Sequence, residues 1–353
     1  VPGTQYVSIG GMIAADVHGK NHQSSGCIGN WVEEIEILTT CQKRTICSPN
    51  KNQQLFESTI GGMGLTGIIT NVKIKCIPFT SDLISENNRE LNSLSQLITQ
   101  LKEAKAHYKI GWIDLVSKES KFFLNTGDFI ANENIGFNLF NPKRKQIPNL
   151  GFSILNEFTI GIYNKLHAKN LRKNKRRNVH WPDFIFPLDG VKNWNNAYGN
   201  KGFYQYQFVI PSHHQLRIEE ILNTVKKSDF TPYLISIKYF GEIDSPGTLS
   251  FPTKGFSIAI DFKNEKAIAN LEEKGDEMHF HLTYKNLDRK LSIVFEKTFP
   301  HQIISWEETY KSGFGSNAKT MTTKGKRKKS ILLDYWSKNG KEDAHFRKEL
   351  GLE

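Results

Sequence analysis

The amino-acid sequence predicts an α+β fold in two domains, and three observations carry the prediction. Its 353 residues exceed one average domain and fall short of three. β-prone runs and helical periods share the chain, without the regular strand–helix–strand rhythm of a parallel sheet. Hydrophobic residues at 38%, aromatics at 11% and charged residues at 24% lie in the globular range, which excludes wholesale disorder, collagen and a coiled coil.

In chain order, residues 1–80 are glycine-punctuated and read as a sheet-rich unit, with strands expected at Tyr6–Ile9, Val32–Leu38 and Ile68–Ile77. The middle run alternates apolar and acidic side chains, as a half-buried strand requires. Ser85–His107 changes period. Leu91, Leu94, Leu97, Ile98 and Leu101 fall at helical spacing with Ser85 as a cap, so an amphipathic helix is expected there. The composition shift at Thr80–Leu83 marks the expected domain boundary. Further strands are expected at Lys109–Val116, Tyr204–Ile210, Tyr233–Phe240 and Phe256–Phe262, and a helix at Gln215–Lys227. The opening Val-Pro-Gly-Thr is a turn leading straight into β-prone sequence, so the chain is expected to be a fragment that starts inside a domain.

Forty-seven Lys and Arg against thirty-six Asp and Glu leave a net charge of +11, which favours an anionic partner: a phosphate ligand, an acidic membrane surface or nucleic acid. Two runs concentrate it, Lys165–Arg177 and Lys324–Lys329. A solvated loop or tail is the ordinary meaning of such runs, and an anion or membrane-surface role is the alternative. Cys27, Cys41, Cys47 and Cys76 form neither a disulfide framework nor a zinc pattern, which fits free thiols in a reducing compartment. No apolar stretch approaches the roughly 18 residues of a spanning helix, so membrane contact would be peripheral.

The densest motif is Ile9-Gly-Gly-Met-Ile-Ala-Ala-Asp-Val-His-Gly-Lys-Asn-His22. Gly10, Gly11, Ala14, Ala15 and Gly19 remove side-chain bulk, so the backbone can approach a large flat or phosphorylated cofactor. A second cluster, Gly62, Gly64 and Gly67, formally matches G-x-G-x-x-G, but a β-prone run follows it where a dinucleotide site needs a helix. His18 and His22 stand four apart, yet the intervening Gly-Lys-Asn disfavours a helix and no third ligand suggests itself, so no metal is expected. His18 suits an acid/base or hydrogen-bonding role beside a cofactor, against a satisfied structural histidine. Gln205 and Gln207 share one face of a strand, suited to a polyhydroxylated ligand or simply to solvent. Lys238 is a lone cation in an apolar strand that must reach solvent, an anion or a hydroxyl-rich ligand.

Together with Phe186-Pro-Leu-Asp189, Trp194-Asn-Asn-Ala-Tyr-Gly199, Gly202-Phe-Tyr-Gln-Tyr-Gln-Phe208, Lys238-Tyr-Phe-Gly241, Leu249-Ser-Phe-Pro252 and Asp261-Phe262, these motifs resemble, in order, the decaprenylphosphoryl-β-D-ribose oxidase family. These are PCMH-type FAD enzymes of the vanillyl-alcohol oxidase superfamily, related to aldonolactone oxidases. The similarity runs from residue 1 to about 262, and His-Gly-Lys-Asn-His is its specific part. The resemblance implies a two-domain fold: an FAD domain truncated at its N-terminus (1–82), a substrate domain with an antiparallel sheet flanked by helices (83–275), and a segment returning to the FAD domain with a divergent basic tail (276–353). It implies FAD contacts at Gly3, Ser8, Ile9, Gly10, Gly11, Ala15, Asp16, Val17, His18 and Ile68, and catalytic roles for His18 and Lys20. Lys20, Gln205, Gln207, Lys238 and Ser257 would line the substrate pocket.

The chemistry implied is hydride transfer from a sugar's secondary alcohol to the flavin, as half of a 2′-epimerisation completed by a partner reductase in cell-envelope polysaccharide synthesis. The substrate would be a lipid-phosphate-linked pentose, and the place the cytoplasm at the inner membrane, the periplasmic face remaining open. There are departures. Ser257 and Ala259 stand where the family has Asn and Cys on the strand facing the flavin, so no thiol acts there. The family's Tyr-x-x-Lys, which reaches the flavin, is matched only by Lys285, across a small gap and without the Tyr, which makes Lys285 the third catalytic residue the resemblance implies. An aldonolactone or alditol oxidase is the alternative within enzymes. A basic protein binding nucleic acid or anionic membrane is the alternative outside them, although no RNP, helix-turn-helix or zinc pattern accompanies the charge, so no nucleic acid is expected.

Overall fold

A computed structural model describes residues 2–130, 145–200, 202–228, 230–263, 268–284, 288–313, 318–331 and 340–351. The chain divides into two compact units, Val1–Asn264 and Glu265–Glu353.

The first unit opens with extended residues and a short helix, α1 (Ile9–Ala14), whose Ser8 Oγ accepts the Gly11 N–H at 3.1 Å. The strand expected at Tyr6–Ile9 is therefore absent: Ser8 caps a helix where alternation had pointed to a strand. A single turn, α2 (His22–Ser25), follows. Strands β1 (Val32–Leu38), β2 (Arg44–Cys47) and β3 (Ile68–Ile74) make an antiparallel sheet in the order β2-β1-β3, with α3 (Gln53–Thr59) between β2 and β3 in sequence. Ile13, Ile35, Ile37, Phe56 and Ile60 close its core.

The larger sheet is built from β4 (Leu83–Leu91), β5 (Tyr108–Asp114) and β6 (Lys121–Phe129), then, beyond the short β7 (Lys145–Gln146), from β8 (Arg176–His180). Past a two-residue β9 (Val191–Lys192) paired with β7, it gains β10 (Phe203–Pro211), β11 (Pro232–Phe240) and β12 (Gly255–Lys263). Its seven strands run antiparallel in the order β10-β12-β11-β5-β6-β4-β8. One face is apolar and packs on α4 (Leu94–Glu103) through Leu97 and Leu101, and on α7 (Arg217–Lys227) through Ile218 and Leu222. Gly111 in β5 makes that packing close, because a Cβ there would lie 2.5 Å from Ile237 Cγ2 and 3.1 Å from the Leu97 methyls. We expect Gly111→Ala to cost about 1–3 kcal/mol in chemical denaturation; an unchanged midpoint would show that α4 can shift freely.

The helix expected over Ser85–His107 is instead a strand followed by a helix. Ser93, not Ser85, is the cap, accepting from Gln96 N–H at 3.2 Å. Strand β4 hides from a hydrophobicity reading because two of the side chains it buries, Glu86 and Asn88, are polar. The basic run Lys165–Arg177 is likewise no loop. It occupies the end of helix α5 (Glu157–Lys173) and the start of β8, and α5 lies over the sheet's polar face, with Asn164 Nδ2 donating to Asp114 Oδ1 at 2.7 Å. Helix α6 (Trp181–Ile185) adds Phe184 to a cluster with Ile84 and Tyr108.

The second unit is an antiparallel meander of β13 (Ile268–Lys274), β14 (Glu277–Tyr284), β15 (Arg289–Glu296), β16 (Ile303–Ser312) and β17 (Lys319–Lys326), with α8 (His345–Glu349) beyond it. The second basic run, Lys324–Lys329, begins in β17.

Candidate functional site

The site is assembled on the polar face of the large sheet, where β10, β12 and β11 meet. Register places Gln207 opposite Ala259, Gln205 opposite Asp261 and Lys238 opposite Ser257, so these side chains share one face. Onto it comes the segment Asp16–Gln23, anchored at Asp16, His18 and Lys20 among others. Asp16, buried at 1% exposure with a left-handed backbone (φ 42°), accepts the Gly29 N–H at 2.9 Å, Ser250 Oγ at 2.7 Å and the Ser245 hydroxyl. His18 Nε2 receives the Gln207 side-chain amide at 2.9 Å, and that amide also donates to Ser257 Oγ at 2.8 Å. The Lys20 ammonium donates to the Phe184 carbonyl and sits 4.6 Å from the Phe184 ring centre. The Lys20 carbonyl accepts the Lys109 N–H at 2.9 Å. Further upstream, Thr4 Oγ1 and the Gln5 N–H bind the Asp189 carboxylate at 2.9 and 2.7 Å.

Four basic groups thereby crowd together. Burial, then the cation of Lys238, holds the His18 imidazole well below its ordinary value. Burial lowers His22 to about 4. Lys20 falls to about 7, by burial first and then by Lys238, with Glu86 opposing. Burial alone takes Lys238 to about 8, and its ammonium has no hydrogen-bond or ion-pair partner among the described residues. The His18 ring packs against Phe240 at 4.7 Å and Phe251 at 6.0 Å, leaving its Nδ1 buried and unpartnered. Both His22 ring nitrogens are also unpartnered, against Phe240 at 4.3 Å. Gln205 is committed to Asp261, donating to Oδ1 at 2.7 Å, while burial raises that carboxyl to about 6.

Of the residues matched to FAD contacts, Ser8 to Gly11 start α1, Ala15 to His18 follow it, and Ile68 begins β3, which α1 touches. Gly10 packs on Ile69, so that an added Cβ would meet it at 3.7 Å; space around Gly3 is open; and Met63 N–H donates to the Ala14 carbonyl at 2.8 Å. Ile9, Ile68 and Met63 are exposed there, at 51%, 67% and 73%. Ser8 and Gly11 are tied to each other at the start of α1, Ala15 caps its end, and the Val17 carbonyl accepts the Ile28 N–H at 3.0 Å. Asp16 is 1% exposed, with its carboxylate engaged internally and its N–H donating to the Ile13 carbonyl at 3.0 Å, so it braces the segment and offers a ligand little surface. An orphaned imidazole nitrogen, an unpaired buried ammonium and an open apolar border around small residues fit a large, flat cofactor rich in hydrogen-bond acceptors, such as FAD. Lys285 lies outside the described residues. Among the described residues no three His, Cys, Asp or Glu side chains come together as a metal site, and no helix is long and apolar enough to cross a membrane.

Sequence reading missed Asp16's partners Ser245 and Ser250, the Asp189 anchor and the ring wall of Phe240 and Phe251. Those hydrogen bonds all join residues more than 180 positions apart, where no local pattern reports them. Asp189 and Phe251 lie in Phe-Pro-Leu-Asp and Leu-Ser-Phe-Pro, so their motifs were visible although their contacts were not.

No family model matches the chain. It is 31% identical over 280 residues to decaprenylphosphoryl-β-D-ribose oxidase from Mycolicibacterium smegmatis, covering 74% of this chain and 60% of that protein. It is 37% identical over 71 residues to D-arabinono-1,4-lactone oxidase from Debaryomyces hansenii, covering 20% of this chain and 13% of that one. To L-gulonolactone oxidase from Scyliorhinus torazame it is 25% identical over 118 residues, covering 33% and 26%. The chain thus spans less than two thirds of the length of each of these proteins. By sequence it is a relative of decaprenylphosphoryl-β-D-ribose oxidase and, over shorter stretches, of the lactone oxidases, all PCMH-type FAD-linked oxidoreductases.

Proposed function

We propose that the chain carries the substrate face of an FAD-dependent oxidase that removes hydride from a secondary alcohol of a sugar, with the 2′-hydroxyl of a polyprenylphosphoryl pentose as the substrate. The supporting observation is the convergence of His18, Lys20, Gln207 and Lys238 on one polar face, with polar groups left unpartnered. FAD, held along Ser8–Gly11, Ala15–His18 and Ile68, supplies the two-electron acceptor when bound.

The protein's part is orientation and proton handling. The Gln207 amide fixes the His18 ring, and Phe240 and Phe251 keep water from it. Lys20, near pH 7 in its balance of amine and ammonium, is the group matched to take the hydroxyl proton as the carbon loses hydride. Lys238, mostly charged at neutral pH, offers donors to sugar hydroxyls or to the phosphate that carries them. Gln205, turned by Asp261, presents its amide oxygen.

The test is anaerobic mixing of the flavin-loaded protein with a polyprenylphosphoryl pentose, following the flavin absorbance. Bleaching by that substrate supports the reading, and bleaching by free lactones or alditols alone would replace it with the lactone-oxidase alternative. We expect His18→Ala to keep the fold and slow bleaching ~100-fold or more. Normal reduction in that variant would remove His18 from the site.

A further inference from the structure

Helix α5 carries apolar side chains on its outward side as well as on the side it buries. The side it turns to the sheet carries Ile160, Asn164 and Ala168, all buried, and His167, whose ring meets Trp112 at 4.7 Å. The opposite side carries Phe158, Ile162 and Leu166 at four-residue spacing, exposed at 75%, 44% and 63%. The segment leading into the helix continues the surface, with Phe152 63% and Ile154 37% exposed. An ordinary surface helix buries such side chains. Here the helix already buries Ile160 and Ala168, with Asn164, against the sheet, and a second apolar row is left outward.

The same outward face bears Lys165, Lys169 and Lys173, again four apart and interleaved with the apolar row. All three are exposed and none has an ion-pair partner among the described residues, whereas Arg172, at the edge of the face, is paired with Glu90. Glu157 is the one carboxylate within the helix. Apolar side chains amid unpaired lysines fit a surface that is greasy just below a layer of negative charge. A second copy of this chain would fit poorly, because a two-fold contact through this face would set lysines against lysines.

We propose that the outward face of α5 docks on an anionic lipid bilayer, with Phe158, Ile162 and Leu166 entering the acyl boundary and Lys165, Lys169 and Lys173 meeting lipid phosphates. The inference goes beyond the oxidase reading and stands without it, since it needs neither cofactor nor sugar.

The experiment is flotation of the full chain with vesicles of phosphatidylcholine alone and of phosphatidylcholine mixed with phosphatidylglycerol, at low and high salt. Binding is expected to the mixed vesicles, weakened by salt. Lys165→Glu, Lys169→Glu and Lys173→Glu combined should weaken it roughly 100-fold or more, and Phe158→Ser with Leu166→Ser roughly 10-fold or more. Every altered side chain is exposed, so unchanged circular dichroism and melting are expected controls. Absence of binding to the mixed vesicles, or undiminished binding by the lysine variant, overturns the proposal. So does a self-association of the wild type that Phe158→Ser with Leu166→Ser abolishes, which would give the face to a second copy.

Discussion

Replacing Lys238 by methionine is expected to stabilise the protein at pH 7 while removing the sugar or phosphate contact proposed for it. The ammonium sits in the interior with no partner among the described residues, and burial has lowered it from 10.5 to about 8. A group whose folded value lies below its unfolded value takes up fewer protons when folded, so its cost is complete below about pH 8 and fades as pH rises towards 10.5. Allowing for partial exposure of the side chain, the gain on substitution is about 1–3 kcal/mol at pH 7. It should shrink towards zero in denaturation series taken at increasing pH.

A second readout follows from the same charge. Lys238 is one of the two influences lowering Lys20, so its removal should move the pH midpoint of flavin reduction upward from about 7. A variant with wild-type stability at every pH, or an unmoved midpoint, would show that Lys238 is solvated and remote from Lys20.

Asp16 offers the largest loss. Its carboxylate accepts from the Gly29 N–H, Ser245 and Ser250 in a buried setting, and its backbone lies at φ 42°, which aspartate and asparagine tolerate better than alanine. Asp16→Ala strands the Gly29 N–H and both hydroxyls, and we expect a cost of about 3–5 kcal/mol in urea denaturation. Asp16→Asn keeps an oxygen acceptor and the tolerated backbone, and should cost about 1–2 kcal/mol. Equal, small effects of the two would mean that solvent replaces the carboxylate and that the loop carrying Ser245 and Ser250 is not fastened through it.

The strands that cover an apolar core were legible. Val32–Leu38 has the same bounds in sequence and structure, and Tyr233–Phe240, Phe256–Phe262 and Gln215–Lys227 differ from their elements by at most two residues at either end. What escaped the pattern is the polar side of the large sheet. β4 buries Glu86 and Asn88, and α5 buries Asn164 while exposing Phe158, so both invert the rule on which periodicity rests. In the site, Gln205 and Gln207 could be placed on one face from alternation alone, because a strand dictates it, whereas Lys238 joins that face only through the register of β11 on β12. That Gln205 is bound to Asp261 and that Asp16 turns inward depend on partners set by the tertiary fold.

The separations along the chain have a kinetic meaning. Thr4 meets Asp189 across 185 positions, His18 meets Gln207 across 189, and Asp16 meets Ser245 across 229. Such closures come late in folding, because the entropy of ordering the intervening chain is lost before the contact returns any stability. On the ribosome, the site cannot exist until β12 has emerged. Until then Lys20 and Lys238 are hydrated and behave as ordinary lysines, so a nascent chain has no amine of lowered basicity with which to react. Chemical reactivity in this protein arrives with the last long-range contact, and a lysine-directed probe that prefers the neutral amine would report the completion of folding itself.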